Sequence, residues 1–351
     1  MKKIFLFIIC FLLTGCYDSV EIDDLAYITA LGIDIGESKA YSVTFQYAVP
    51  LNISPDGGDG NPLTHLTFET DSIQSAISYA DSKMAKITDL SHLNLIVFSE
   101  DMAKLGIMPL KRDLSETVKT VPDAHLTVCK GKAEDCLKAV SSDLEQNPSR
   151  FYEDFFESKA PYSVKQTALQ FFNGKSDFAT PYITYESSIQ NSGMAAFKGG
   201  KMISLFTLDE ALIYNLLKDE FTNLLIETDE AVFSIDSELK PKYSVSIKET
   251  PKIKIKLTLS GEAKTGRDEF FKVPKYATEK LKASLEAKIL SFLQKTQKED
   301  CDILTISAHA KRKFLTEKEF KNYNWQKKYK NAEFEIDITF RNTKNSHGGN
   351  L

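Results

Sequence analysis

The chain has 351 residues, 42% of them apolar and 26% charged, with a formal net charge of −5. That balance excludes a wholly disordered, collagen-like or coiled-coil chain, and the length predicts two or three domains with enough apolar side chain for a sizeable core. Five cysteines are too few for a disulfide scaffold, and Trp325 is the only tryptophan.

Lys2 and Lys3 precede an unbroken apolar run from Ile4 to Leu13. A bilayer-spanning helix needs about 20 apolar residues, so this run reads as the h-region of a secretory signal peptide. Leu13-Thr14-Gly15-Cys16 follows, which is the pattern of a lipobox. Leu13, Thr14 and Gly15 are expected to be read by the signal peptidase, and the Cys16 thiol to take the diacylglyceryl group. Two acyl chains satisfy the rule that stable anchoring takes two hydrophobic signals. The expected mature chain starts at Cys16 and has 336 residues outside the cytoplasm, held to membrane lipid, with residues 16–21 as a tether. Cys129, Cys136 and Cys301 then remain, an odd number, and buried free thiols are expected.

Strands are predicted at Ala26 to Ile33 and Tyr41 to Val49, joined by a Gly-Glu-Ser-Lys turn. Residues 54–62 read as a loop whose two aspartates miss the calcium-loop spacing. A short strand at His65 to Glu69 leads to a helix capped by Asp71 or Ser72, with Ile73, Ala76, Ile77, Ala80 and Met84 on one face. Further strands are predicted at Leu93 to Phe98 and Ala124 to Val128. Helices are expected around Met102, from Pro109 to Thr120, from Lys132 to Val140, and over the polar, aromatic stretch from Asp143 to Lys175. A strand at Tyr182 to Tyr185 closes the first region.

Met194 to Phe197 and Met202 to Phe206 read as a hairpin about Lys198-Gly199-Gly200-Lys201. A helix from Asp209 to Leu217 and three or four strands between Phe221 and Leu259 follow. Lys252, Lys254 and Lys256 alternate with Ile253, Ile255 and Leu257, as in a half-solvated antiparallel strand. Pro274 to Lys298 is the clearest helix, with Leu281, Leu285, Ile289, Phe292 and Leu293 in one stripe. Strands at Ile303 to Ala308 and Glu333 to Phe340 flank a helical stretch near Trp325. The fold class expected is α+β. A mixed N-terminal domain spans 22–188 and a C-terminal domain 192–342, an antiparallel sheet against helix 274–298, with a polar tail at 343–351.

Enzyme, dinucleotide and metal patterns are absent from the sequence. The lone Ser237-Glu238-Leu239-Lys240 sits between predicted strands without companion motifs. The five histidines are scattered, with His92 and His125 placed in apolar strands, so no metal or other cofactor is expected. Glu153, Asp154 and Glu157 read as a solvated helix face. Residues 231–351 hold 25 Lys and Arg against 16 Asp and Glu, whereas residues 16–230 hold 17 against 33. The basic half suggests contact with an anionic surface, with Lys311, Arg312, Lys313, Lys327, Lys328 and Lys330 as candidates beside Lys252, Lys254 and Lys256.

Residues 15–34 resemble the opening of the Ger(x)C lipoproteins: Gly15-Cys16-Tyr17-Asp18, then Glu21-Ile22, Asp24-Leu25-Ala26 and Gly32-Ile33-Asp34. Tyr17 replaces the usual Trp. Leu90-Ser91-His92-Leu93 is similar to the family's Gly-His-Leu strand, with Ser91 for Gly. Gly193-Met194-Ala195-Ala196-Phe197-Lys198 is similar to its hairpin, and Lys295 to Leu304 to the end of its long helix and an Asp-Ile strand. Arg341 to Asn345 lacks the family's terminal glycine. The resemblance implies a non-catalytic, lipid-anchored C subunit of a GerA-type nutrient germinant receptor. Its implied partners are a polytopic A subunit and a transporter-like B subunit at the spore inner membrane, and no nucleic acid. The competing reading is a solute-binding lipoprotein that serves a transporter, a class with two similar α/β lobes.

Overall fold

The computed structural model describes Glu21 and residues 24–48, 63–118, 123–139, 155–156, 171, 177–186, 188–220, 223–228, 232–264 and 276–345. Leu13 to Cys16, the 54–62 loop, Glu153, Asp154, Glu157 and most of the helical stretch 143–175 lie outside these residues.

The first sheet is mixed. Strand β1 (Leu25–Ile35) pairs antiparallel with β2 (Tyr41–Ala48), and β2 with β3 (Leu63–Thr70). On its other edge β1 runs parallel to β4 (Ile87–Asp89) and then to β5 (Leu95–Ser99). β6 (His125–Cys129) and β7 (Asp177–Tyr185) continue in parallel, and β8 (Ile189–Lys198) and β9 (Lys201–Phe206) finish antiparallel. Helix α1 (Ile73–Lys83) starts where the Ser72 side chain accepts the Ser75 N–H, and buries Ile73, Ala76, Ile77 and Ala80. Four of the five residues of the predicted face are thus buried and Ser72, not Asp71, is the cap, while Met84 follows the helix as its extended C-cap.

Helices α2 (Glu100–Leu105), α3 (Leu110–Val118) and α4 (Ala133–Lys138) follow. The Gly-Ile-Asp run acquires a physical reason at α4. A Cβ at Gly32 would stand 3.0 Å from the Leu137 side chain and 3.3 Å from Ala133, so glycine lets α4 lie on β1. Asp34 accepts the N–H groups of Ala133 (2.7 Å) and Glu134 (3.0 Å), supplying the cap that Lys132 does not. Burial holds the Asp34 carboxyl above its ordinary range, against those two donors.

The second sheet has the order β10 (Leu224–Glu227), β11 (Val232–Ser246), β12 (Lys252–Lys264), β13 (Glu333–Asn345). Helix α5 (Leu208–Lys218) and the long α6 (Tyr276–Lys298) share its core. Leu281, Leu285, Ile289, Phe292 and Leu293 are buried with Ile253, Ile255 and Leu257. Short helices α7 (Ser307–Lys311), α8 (Glu317–Tyr323) and α9 (Trp325–Tyr329) lead into β13.

The α+β class holds, and several local expectations are corrected. β12 and β13 are parallel, because their connection is long enough to carry α6 to α9 across the sheet. The hairpin grouped by sequence with residues 192–342 is bonded to β7, so the first sheet continues past residue 188. β13 runs to Asn345, into the expected tail. Residues 303–308 form turns and the start of α7 rather than a strand. His92 lies exposed in a turn, edge-on to the Tyr27 ring, while His125 starts β6 and stacks on Phe156. Ser237 to Lys240 lies inside β11, not between strands. Pro241 is tolerated there because the register shifts around it, and because β10 pairs only with Val232 to Ile235.

Cys129, Cys136 and Cys301 are free and buried. The Cys129 thiol is pushed far up by its hydrogen bond with Cys136 and by burial, and burial raises Cys301 as well. Alkylation of the folded mature chain lacking Cys16 is expected to leave all three unlabelled, and denaturation without reductant to expose three. Mass spectrometry reads both counts, and one label after denaturation contradicts the free pair. In the second core, Leu285→Ala is expected to cost ~2–5 kcal/mol by denaturant titration, while Lys288→Ala, on the exposed face of α6, stays within about 0.5 kcal/mol.

Candidate functional site

The two sheets meet where α6 ends. Asp300, with φ 53°, takes the left-handed conformation that turns the chain. Its carboxylate pairs with Lys198 at the end of β8 and with Lys330 at 3.2 Å. The Cys301 thiol faces the Phe197 carbonyl at 3.4 Å. The Asp302 N–H donates to the Asp177 carboxylate at the start of β7, at 3.0 Å. Three successive residues thus tie the C-terminal half to one end of strands β7 and β8 of the first sheet.

The Asp302 side chain points the other way along the junction. Its oxygens accept the N–H groups of Ile306 (2.8 Å) and Ser307 (2.6 Å) and the indole N–H of Trp325 (3.3 Å). Burial pushes this carboxyl up to about 6; the Ser307 and Ile306 donors oppose the rise and the Asp177 charge adds to it. Trp325 and Tyr329 are buried beside it. Tyr329 shares a hydrogen bond with Thr296 of α6 (2.7 Å), and Gln297 donates to the carbonyls of Tyr329 and Ala332 (2.8 Å each).

A cleft of about 460 Å³ opens over this junction, bounded by Asp177, Asp302, Ser307, Phe320, Lys321 and Trp325. Its size and aromatic walls fit a small-molecule or peptide pocket in general form. The Asp302 carboxylate at its base is committed to N–H groups of the chain, so it acts as an organiser of backbone. Asp302 sat inside a strand motif in the sequence and was given no role. Its partners lie four and five residues on, beyond ordinary cap spacing, so no local signal marked it.

The predicted basic residues divide. Lys252 pairs with Glu333 (2.8 Å) and Lys254 with Glu335 (2.5 Å), because parallel β13 sets an acidic row against the lysine row; Lys256 stands opposite Asp337. Lys311 pairs with Glu317 (3.5 Å) and Lys328 with Glu249 (2.7 Å), in addition to the Lys330–Asp300 pair. Arg312, Lys313 and Lys327 are exposed. All six of the later residues fall on the α7–α9 segment that walls the cleft.

Fold, junction and cleft together define a two-sheet α+β protein organised around a structural carboxylate. Residues 18–186 match the family model described as the spore germination protein N-terminal domain. Residues 192–343 match the model described as spore germination B3/GerAC-like, C-terminal. The chain belongs to the Ger(x)C family of spore germination proteins. YfkR of Bacillus subtilis (strain 168), named for spore germination, is 23% identical over 361 residues, covering 94% of this chain and 92% of YfkR. Spore germination protein KC of the same organism is 31% identical over 148 residues, 39% of this chain and 35% of KC. The crystal structure of the GerBC protein has the same fold, with a TM-score of 0.54 at 15% identity over 89% of this chain and 96% of GerBC.

A carboxyl that titrates near 6 in the fold and near 3.8 unfolded binds its proton more tightly in the native state. Its stabilising contribution is complete below about pH 4 and is lost as pH rises through 6. The stability of the wild type relative to Asp302→Asn is therefore expected to fall by about 2 kcal/mol between pH 4 and pH 7. Parallel urea titrations followed by Trp325 emission measure that difference, and a flat difference contradicts the assignment.

Proposed function

We propose that this chain is the lipid-anchored C subunit of a spore nutrient germinant receptor, non-catalytic and required with membrane A and B subunits for nutrient-triggered germination. The observation that carries the reading is the match of both family models across nearly the whole chain, behind the Leu13-Thr14-Gly15-Cys16 sequence. Acylated Cys16 holds the protein to membrane lipid on the outer face of the spore inner membrane. The chain's own contribution is a scaffold: the buried carboxylate that a catalytic reading would seize on serves N–H groups of the fold. The competing solute-binding reading calls for two similar lobes. The two described sheets are unlike, one with nine strands and a parallel centre, the other with four.

The α7–α9 segment is the face turned to an anionic surface. Lys311, Arg312, Lys313, Lys327, Lys328 and Lys330 supply its charge, with Arg312, Lys313 and Lys327 the ones to test. Lys328 and Lys330 brace loops through Glu249 and Asp300, and reversing them would disturb the fold.

Cys16→Ala is expected to leave an unprocessed, larger chain without lipid and to abolish nutrient-triggered germination. Metabolic labelling with palmitate and germination assays on purified spores read the two effects. Full germination by a chain carrying no acyl group rules out the anchored-subunit reading. Arg312→Glu with Lys313→Glu and Lys327→Glu is expected to weaken low-salt binding to anionic vesicles, with an unchanged thermal transition.

A further inference from the structure

The turn between α7 and α8 carries an apolar residue with almost no cover. Leu315 is 96% exposed, against at most 58% for any other large apolar side chain among the described residues. One exposed leucine is ordinary on a protein surface, so exposure alone says little. Its setting is not ordinary. Glu319 accepts the N–H groups of Leu315 (3.0 Å) and Thr316 (3.4 Å), while its own N–H donates to the Thr316 hydroxyl (3.2 Å). This capping box fixes the turn. The neighbouring Phe314 ring lies against Phe320 (5.6 Å) and Tyr323 (5.2 Å), so its apolar surface is spent on α8 while Leu315 is left outside.

Charge surrounds that tip. Residues 311–330 contain eight Lys or Arg and two Glu. Both acids are engaged, Glu319 in the capping box and Glu317 with Lys311. Arg312 and Lys313 on one side of Leu315, and Lys318 and Lys321 on the other, are exposed.

We infer that the Phe314–Leu315 turn is a membrane-dipping tip: Leu315 enters the acyl boundary of an anionic bilayer while Arg312, Lys313, Lys318 and Lys321 stay among the lipid phosphates. The chemistry is that of interfacial binding, in which buried apolar area and attraction to anionic headgroups add. A bilayer suits a single protruding side chain ringed by cations, because it offers an apolar phase without a matching pocket. The long basic side chains reach headgroup level while their stems follow the leucine inward. The inference deepens the anchored-subunit reading and rests on it in one respect. A lipid on Cys16 keeps the bilayer at a high effective concentration, so a contact too weak to hold a free protein suffices.

The test uses the mature chain from residue 16 with Cys16→Ser, which removes the acyl chains and none of the contacts described above. Leu315→Cys is labelled with the environment-sensitive dye NBD; Cys129, Cys136 and Cys301 are buried and do not compete. With phosphatidylglycerol vesicles at low salt, the dye emission is expected to shift to the blue and to be quenched by lipids spin-labelled near the top of the acyl chain. Phosphatidylcholine vesicles and high salt are expected to abolish the effect. In co-sedimentation, Leu315→Asp, and separately Arg312→Glu with Lys313→Glu, are expected to weaken binding about tenfold while Trp325 emission stays unchanged. A dye that stays in water, or a Leu315→Asp chain that binds as the wild type does, overturns the inference. So does a Leu315→Asp chain that loses co-purification with receptor subunits yet keeps full vesicle binding, since the tip then docks on protein. Acylation and germination are read separately in the Cys16 chain, so a silent tip leaves the anchor reading standing, and an unacylated Cys16 leaves a vesicle-binding tip standing.

Discussion

The structure depends on one buried carboxylate. Asp302 receives three N–H groups, from Ile306, Ser307 and Trp325, while its own N–H goes to Asp177. Three donors converging in a dry site need an acceptor with two oxygens and several lone pairs, which a serine or an amide does not offer. The charge would be costlier there without them, and the donors would be unsatisfied without the carboxyl oxygens. Each half of the arrangement is tolerable only because of the other. The consequence is geometric: the first turns after α6, the start of α9 and the start of β7 are held to one point.

The hairpin β8–β9 extends that linkage into both cores. Its residues alternate between them, with Ala195, Phe197 and Met202 in the first and Met194, Ala196 and Phe206 in the second. Gly193 makes the close crossing possible. It sits at φ +129°, and a Cβ there would come within 2.1 Å of the Phe206 carbonyl oxygen. Lys295 of α6 reaches across to Glu210 (2.7 Å) and the Leu205 carbonyl (2.9 Å), with its ammonium 4.2 Å from the Phe206 ring. Two family models meet between residues 186 and 192, yet the hydrogen bonds and the apolar packing run straight through that boundary. A displacement of the C-terminal half is therefore felt by the first sheet.

What was legible in the sequence was whatever local pattern decides. Ser72 with the 73–84 periodicity gave α1, the Leu281 to Leu293 stripe gave α6, and Lys-Ile alternation gave β12. The direction of β13 was not legible, because the residues that pair with Lys252 and Lys254 lie some 80 positions on and look the same in either orientation. The Ile303 to Ala308 run has strand composition, but Asp302 offers its backbone better local partners, and Thr305 adopts φ 56°. Pro241 argued for a strand end and was overruled by a register shift on a partly free edge. The cleft was invisible because its walls come from β7, the 302–307 turns and α8–α9, which only the tertiary fold assembles. Of the candidate site residues, Leu13 to Cys16 lie outside the described residues, whereas for the basic set the structure separates Lys311, Lys328 and Lys330, which brace acidic partners, from exposed neighbours.

That separation changes what the charge polarity means. Part of the base in residues 231–351 is paired in place, as the β12 lysines face the β13 acids and Lys311, Lys328 and Lys330 hold partners of their own, while 25 bases against 16 acids still leave an excess of nine. Exposed pairs of this kind add little stability, but they cancel field locally. One cluster of outward base lies around a single turn, where Arg312, Lys313, Lys318, Lys321 and Lys327 are exposed and Leu315 projects among them. The proposed acyl attachment at Cys16 would limit the distance from the bilayer, since residues 17–24 span at most about 28 Å when extended, and would leave orientation open. A second contact on the opposite half of the protein removes that freedom. Because the Asp302 junction and the shared hairpin make the two halves mechanically continuous, fixing the α7–α8 turn at a surface also fixes the first sheet above it. The junction would therefore set how the two proposed contacts, at Cys16 and at the α7–α8 turn, orient the rest of the protein.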